Sequence, residues 1–159
     1  LSGFSMGGAL CSVLAHENHI SKLVLLAPFY GLVHFDSWST SVARIVAPLI
    51  PKIPKLKTGR IRSPKGLQEY RCPTLYVDIQ AFSGLQILAK KARASIKNIN
   101  KSTPILWCHG IKDPVASYKK AKKVLPSHTK SVVLPKTDHI LLYDYDKQLV
   151  IQRVLEFLR

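Results

Sequence analysis

The chain has 159 residues, 47% of them hydrophobic and 21% charged, which suits a globular domain and excludes a disordered chain. Lys and Arg total 24 against 9 Asp and Glu, a net charge of +15 that raises nucleic acid or an anionic membrane surface as partners. No run of about 18 apolar residues marks a membrane-spanning helix.

At the start of the chain, Gly3-Phe4-Ser5-Met6-Gly7-Gly8 fits G-x-S-x-G, the turn that lifts a nucleophilic serine between a strand and a helix. A serine on so sharp a turn takes a strained backbone, and Cβ atoms on its neighbours would collide with strand or helix. The same pattern also suits a plain glycine-rich turn before a buried helix. The apolar stretch Ala9 to Ala15 follows and is helix-compatible. His16-Glu17-Asn18-His19 falls one residue short of H-E-x-x-H, so its histidines cannot share a helix face, and a frayed helix end is the better reading. Lys22 to Ala27 is a continuous apolar run behind one lysine, the mark of a buried parallel strand, and Pro28 stops it.

From about Gly31 to Arg71 the alternation of strand and helix breaks down. Trp38, Val42, Ile45, Val46, Leu49, Ile50 and Ile53 share this segment with Pro48, Pro51 and Pro54. The prolines predict a short helix that breaks near Pro48. Val42 to Lys57 is apolar and basic together, as in an interfacial element or in a small core with a wet outer face. Ser83 to Ile99 then reads as an amphipathic helix, with Leu85, Leu88, Ala92, Ile96 and Ile99 on one side.

Thr103 to Gly110 reads as a buried strand with Asp113 in the loop beyond it, and Ser131 to Leu134 as a second strand leading to Thr137-Asp138-His139. Both candidates leave the ends of successive strands, where open α/β sheets place their chemistry. A serine hydroxyl needs an imidazole base held by a carboxylate, and the chain order here is Ser, Asp, His. Alternatives stay open. Asp113-Pro114 is also a good helix entry, Asp78 and Asp138 are rival acids, and His139 could be a solvated loop residue. Asp138 adjoins the histidine and is expected to point away from it, while Asp144 reads as a cap or turn residue.

With these motifs in place, the chain resembles the α/β-hydrolases, nearest to the monoacylglycerol lipase and carboxylesterase group. The residues that carry the resemblance are the Gly3 to Gly8 turn, the H-G-x-x-D segment His109 to Ala116, and the Thr137-Asp138-His139 turn with Asp144 after it. The terminal helix Asp146 to Arg159, with Leu149, Val150, Val154, Phe157 and Leu158 as its stripe, belongs to the same pattern. The similarity is weak between about Val33 and Lys101. It implies an α/β fold: a partial α/β-hydrolase, the C-terminal half of a mostly parallel sheet with flanking helices, plus a helical cap insertion. The implied parts are residues 1–30 (elbow, helix and strand), 31–75 (cap) and 76–159 (the rest of the core). It implies Ser5 as nucleophile, Asp113 as orienting acid, His139 as general base and the Met6 backbone N–H as an oxyanion donor. It also implies a small acyl ester or lipid substrate, with no cofactor and no metal.

Met6 is the only methionine and Leu1 the first residue, so the chain reads as a piece of a longer hydrolase. The strands before the elbow and a second oxyanion donor, from a His-Gly type loop upstream, are expected outside it, and the isolated chain is expected to be poorly soluble and nearly inactive. Cys11, Cys72 and Cys108 are scattered and odd in number, which favours a reducing compartment and a cytoplasmic location. No zinc-ligand spacing, helix-turn-helix or RNP-like strand supports nucleic-acid binding. The basic residues read mostly as solvated helix faces, with peripheral attraction to acidic lipid as their functional option. Two further readings are kept: an acyltransferase using the same three residues, and a non-catalytic binding module that retains the fold.

Overall fold

A computed structural model of the chain describes residues 1–33, 52–54, 61–70 and 76–159. Strand β1 (Ser2–Phe4) runs into helix α1 (Met6–Glu17), and β2 (Leu23–Leu26) follows. Next come β3 (Lys52–Pro54), α2 (Pro64–Glu69), β4 (Tyr76–Asp78) and α3 (Ile79–Lys97). The chain closes with β5 (Ile105–Gly110), α4 (Tyr118–Val124), β6 (Lys130–Leu134) and α5 (Lys147–Leu158).

Strands β1, β2, β5 and β6 form one parallel sheet in that order, with Gly3 opposite Leu25, Leu25 opposite Trp107, and Trp107 opposite Ser131. Every residue of β2 and β5 is buried, because a parallel sheet of this kind is covered on both faces. Alternation along the strands divides the core in two. Leu23, Leu25, Ile105 and Trp107 pack with Ala9 and Val13 of α1, Ala92 and Ile96 of α3, and Ala121 and Val124 of α4. Val24, Leu26, Leu106, Cys108 and Leu134 point the other way, onto Leu141 in the loop after β6 and Val150 of α5. The expected parallel sheet with flanking helices is therefore the architecture observed.

The amphipathic helix begins four residues earlier than the pattern suggested, at Ile79, because β4 leads straight into it. Ala92 and Ile96 of the predicted stripe are completely buried, and Ala89 and Ser95, which the stripe did not include, are buried with them. In the expected cap, Lys52–Pro54 is extended and pairs antiparallel with Tyr76–Asp78, the backbone of Ile53 in register with that of Val77. That pairing runs across the boundary drawn between residues 75 and 76. Trp38, Val42 to Ile50, Pro48 with its expected helix break, and Cys72 lie outside the described residues. Helix α2 is capped by Ser63, whose hydroxyl accepts from the Gly66 N–H, and Pro64 opens it where the missing N–H costs nothing. Among the described residues no helix is long and apolar enough to cross a membrane.

Ile96 is completely buried between α1, α3 and β5. Ile96→Ala is expected to lower the unfolding free energy by about 2–5 kcal/mol, read from urea denaturation. The same change at the exposed Leu155 should stay within about 0.5 kcal/mol.

Candidate active site

Ser5 stands on the turn between β1 and α1 with φ 52° and ψ −117°, a region that L-residues seldom occupy. The surrounding chain holds it there. The Ser5 N–H donates to the Leu26 carbonyl at 2.9 Å, and the Ser5 carbonyl accepts from the Phe29 N–H at 2.9 Å. A Cβ on Gly3 would run into the Gly7 backbone, so that glycine is required by close approach. A Cβ on Gly7 would meet nothing within 4 Å. A Cβ on Gly8 would press against Pro28, so clearance is needed on both the strand side and the helix side of the serine, with Gly7 the exception.

Three side chains from distant parts of the sequence meet at the C-terminal ends of β1, β5 and β6. Ser5 Oγ lies 2.9 Å from His139 Nε2, and His139 Nδ1 lies 2.7 Å from Asp113 Oδ2. A carboxylate only accepts, so Nδ1 carries the ring proton and Nε2 is left to accept from the serine hydroxyl. His139 is buried, with the Phe4 ring 5.1 Å away; it is not the solvated loop histidine of the alternative reading.

The Asp113 side chain is fully buried. Its Oδ1 accepts the N–H groups of Val115 (2.8 Å) and Ala116 (2.9 Å), so the residue organises its own loop, and Ser117 caps α4 instead. Burial alone would raise its pKa. Hydrogen bonds from His109 and His139 outweigh that and hold it at about 2, below the ordinary 3.8.

Met6, the fourth candidate, is the first residue of α1. Its N–H belongs to the helix's opening turn, where donors lack intrahelical acceptors and the helix dipole favours negative charge. It directly follows the serine in the chain.

The rival acids lie elsewhere. Asp138 turns toward Arg62, whose Nε is 3.4 Å from its Oδ1, outside hydrogen-bond geometry; burial pushes its carboxyl up while the guanidinium opposes this. Asp78 sits on β4 opposite Lys52. Asp144 is more than a cap. Buried, it accepts from the N–H groups of Arg62 (3.0 Å), Ser63 (2.9 Å), Asp138 (3.0 Å) and Tyr145 (2.9 Å), and so ties the start of α2 to the loop that carries His139.

His109 was legible only as a strand residue, yet its Nε2 comes within 3.2 Å of Asp113 Oδ2. The one available signal was its place four residues before the acid in H-G-x-x-D. Burial pushes the Cys108 thiol up to about 12, which keeps it protonated and a poor nucleophile. Among the described residues no group of three or more His, Cys, Asp or Glu side chains could hold a metal ion.

A family model described as serine aminopeptidase, S33, matches residues 1–146. Among solved structures, a monoacylglycerol lipase from Paleococcus ferrophilus superposes with TM-score 0.81 at 16% identity, covering 99% of this chain and 66% of that one. A soluble variant of monoglyceride lipase from Saccharomyces cerevisiae, in complex with a substrate analogue, gives 0.76 at 20% identity over 99% and 63%. A thermostable carboxyl esterase from Bacillus coagulans, in complex with glycerol, gives 0.68 at 19% over 99% and 63%. At such identities the likeness establishes the fold. The chain spans less than two thirds of the length of each of these three structures. No curated protein sequence matches it.

Two measurements check this geometry. The folded-state pKa of Asp113 is depressed, so its stabilising contribution is complete above the ordinary 3.8 and is lost as pH falls through about 2. The stability advantage of the wild type over Asp113→Asn should therefore shrink across that window in urea unfolding; a constant difference would contradict it. Asp144→Ala strands several backbone donors and should cost about 2 kcal/mol or more, with faster proteolysis around residues 61–70.

Proposed function

The chain belongs to the serine aminopeptidase S33 family of α/β-hydrolases, and on that premise we propose that it is a serine hydrolase cleaving carboxylic esters of monoacylglycerols or other short to medium acyl groups. One observation carries the reading: the unbroken line of contacts from Ser5 Oγ through His139 to Asp113 Oδ2, at 2.9 and 2.7 Å. In this reading His139 Nε2 takes the hydroxyl proton as Ser5 Oγ attacks the ester carbonyl. Asp113 keeps Nδ1 protonated and stabilises the imidazolium. The negative charge that develops on the carbonyl oxygen meets the Met6 N–H and the positive end of α1. The imidazolium then returns its proton to the departing alcohol, and a water deprotonated by His139 releases the acid from the acyl-serine.

The preference for acyl esters draws on the three superposed structures, named as lipases or an esterase, and on the approach to the serine. Phe4 and Met6 flank Ser5 in the chain and both expose apolar surface, which suits an acyl chain better than a charged peptide terminus.

A fluorophosphonate probe should label the full-length gene product at Ser5 and fail on Ser5→Ala. Ester turnover should fall by about 10⁴-fold or more in Ser5→Ala, and by about 10⁴-fold in Asp113→Asn, where the imidazole tautomer is lost. Failure of the native protein to label, or normal turnover by Ser5→Ala, would remove the reading and leave a binding module. Cleavage of aminoacyl arylamides in place of acyl esters would move it from esterase to peptidase.

A further inference from the structure

Trp107 and His109 lie two residues apart on β5 and so face the same side of the sheet. The Trp107 Nε1–H donates to His109 Nδ1 at 3.0 Å. An indole nitrogen can only donate, so Nδ1 presents its lone pair and the ring proton sits on Nε2. His109 Nε2 is hydrogen-bonded to the Ala116 carbonyl oxygen at 3.1 Å, and the same nitrogen lies 3.2 Å from Asp113 Oδ2, the oxygen that also receives His139 Nδ1–H. Both side chains of the His109–Asp113 pair are wholly buried. Tyr118, which opens α4, stacks on Trp107 with ring centroids 5.3 Å apart and stands edge-on to His109 at 5.8 Å.

The indole decides the charge of this second histidine. A protonated His109 would set an Nδ1–H against the Trp107 N–H, donor against donor, inside a buried cluster. Kept neutral, His109 sets the polar edge of its ring 3.2 Å from Asp113 Oδ2 without cancelling the carboxylate's charge. A cation at that place would pair with the carboxylate and compete with His139.

We infer that Trp107 and His109 are positioning residues for the acid: the indole locks the second imidazole as a neutral Nε2–H donor, which holds Asp113 Oδ2 toward His139 and leaves the carboxylate's charge for the imidazolium. The purpose of the arrangement rests on the acyl-transfer reading above; its geometry does not. The titratable groups that act on Asp113 are His109 of β5 and His139, with Asp138 beside His139 and Lys112 in the loop of Asp113 itself also within electrostatic reach of this loop pair.

Nitrogen-15 NMR of the histidine rings tests this without needing activity. In the unsubstituted protein His109 should remain the neutral Nε2–H tautomer across the pH range in which His139 titrates. His109→Leu removes a donor from the carboxylate and should raise the His139 midpoint by about half a unit or more. His109→Gln, whose amide N–H can take the place of Nε2–H, should restore the wild-type midpoint. Trp107→Phe frees His109 to protonate and should lower it.

An Nδ1–H or cationic His109 in the unsubstituted protein overturns the inference, and that readout requires no variant to fold. One common His139 midpoint in all four proteins overturns it as well. Fluorophosphonate labelling of the same samples separates the two claims. Labelled Ser5 with the wrong tautomer removes only this inference. An unlabelled serine with the expected tautomer removes only the ester reading.

Discussion

A buried carboxylate sets the terms for this structure. An ionised Asp113 has left water, and an uncompensated charge in that position would cost more than most other interactions in the domain supply. Its compensation comes from separate places: two backbone N–H groups of its own loop, His139 from the loop after β6, and His109 from the strand behind it. Together these groups make the charge tolerable. The end of β5, the turn into α4 and the loop after β6 are thereby forced to meet, and the meeting point is the base of the candidate site. The depressed pKa of Asp113 is the electrostatic signature of the same constraint.

Backbone strain is concentrated beside it. Ser5 has φ 52° and Ala27, at the end of the neighbouring strand, has φ 42°. Conformations of this kind cost of order 1–3 kcal/mol each and persist only where the surroundings over-determine them. Here the surroundings are the sheet itself. Ser5 is held through Leu26 and Phe29, and the Ala27 N–H donates to the Cys108 carbonyl at 2.8 Å. The parallel sheet with both faces covered is thus the rigid body that keeps a strained serine aimed at an imidazole.

The loop that carries His139 is fixed from a second side. Asp144 gathers backbone donors from residues 62, 63 and 138, and Tyr70 meets Tyr143 edge-on at 5.3 Å. Gly66 of α2 lies so close to the Tyr143 carbonyl that no Cβ could be accommodated. The segment before β4 is therefore built into the support of the histidine, and a change in residues 61–70 reaches His139 through the Asp144 carboxylate.

Much of this was written in local patterns. The G-x-S-x-G turn, the apolar runs of β2 and β5 and the stripe of α3 each depend on residues close together in the chain, so periodicity and composition expose them. The order Ser5, Asp113, His139 could be read because each residue follows a strand end, and strand ends are local features. Three things were decided only in three dimensions. The choice of Asp113 over Asp78 and Asp138 turns on which carboxylate reaches the imidazole, and Asp138 is drawn away by Arg62. The part played by Asp144 depends on backbone groups some 80 residues distant. The tautomer of His109 depends on an indole two residues before it and a carboxylate four residues after it, and only the pleat of β5 and the turn into α4 bring both onto one ring. Sequence alone determined which chemical groups were available and where each strand delivered them; tertiary structure decided which ones share a proton, because hydrogen bonding acts over about 3 Å and no local pattern encodes that distance.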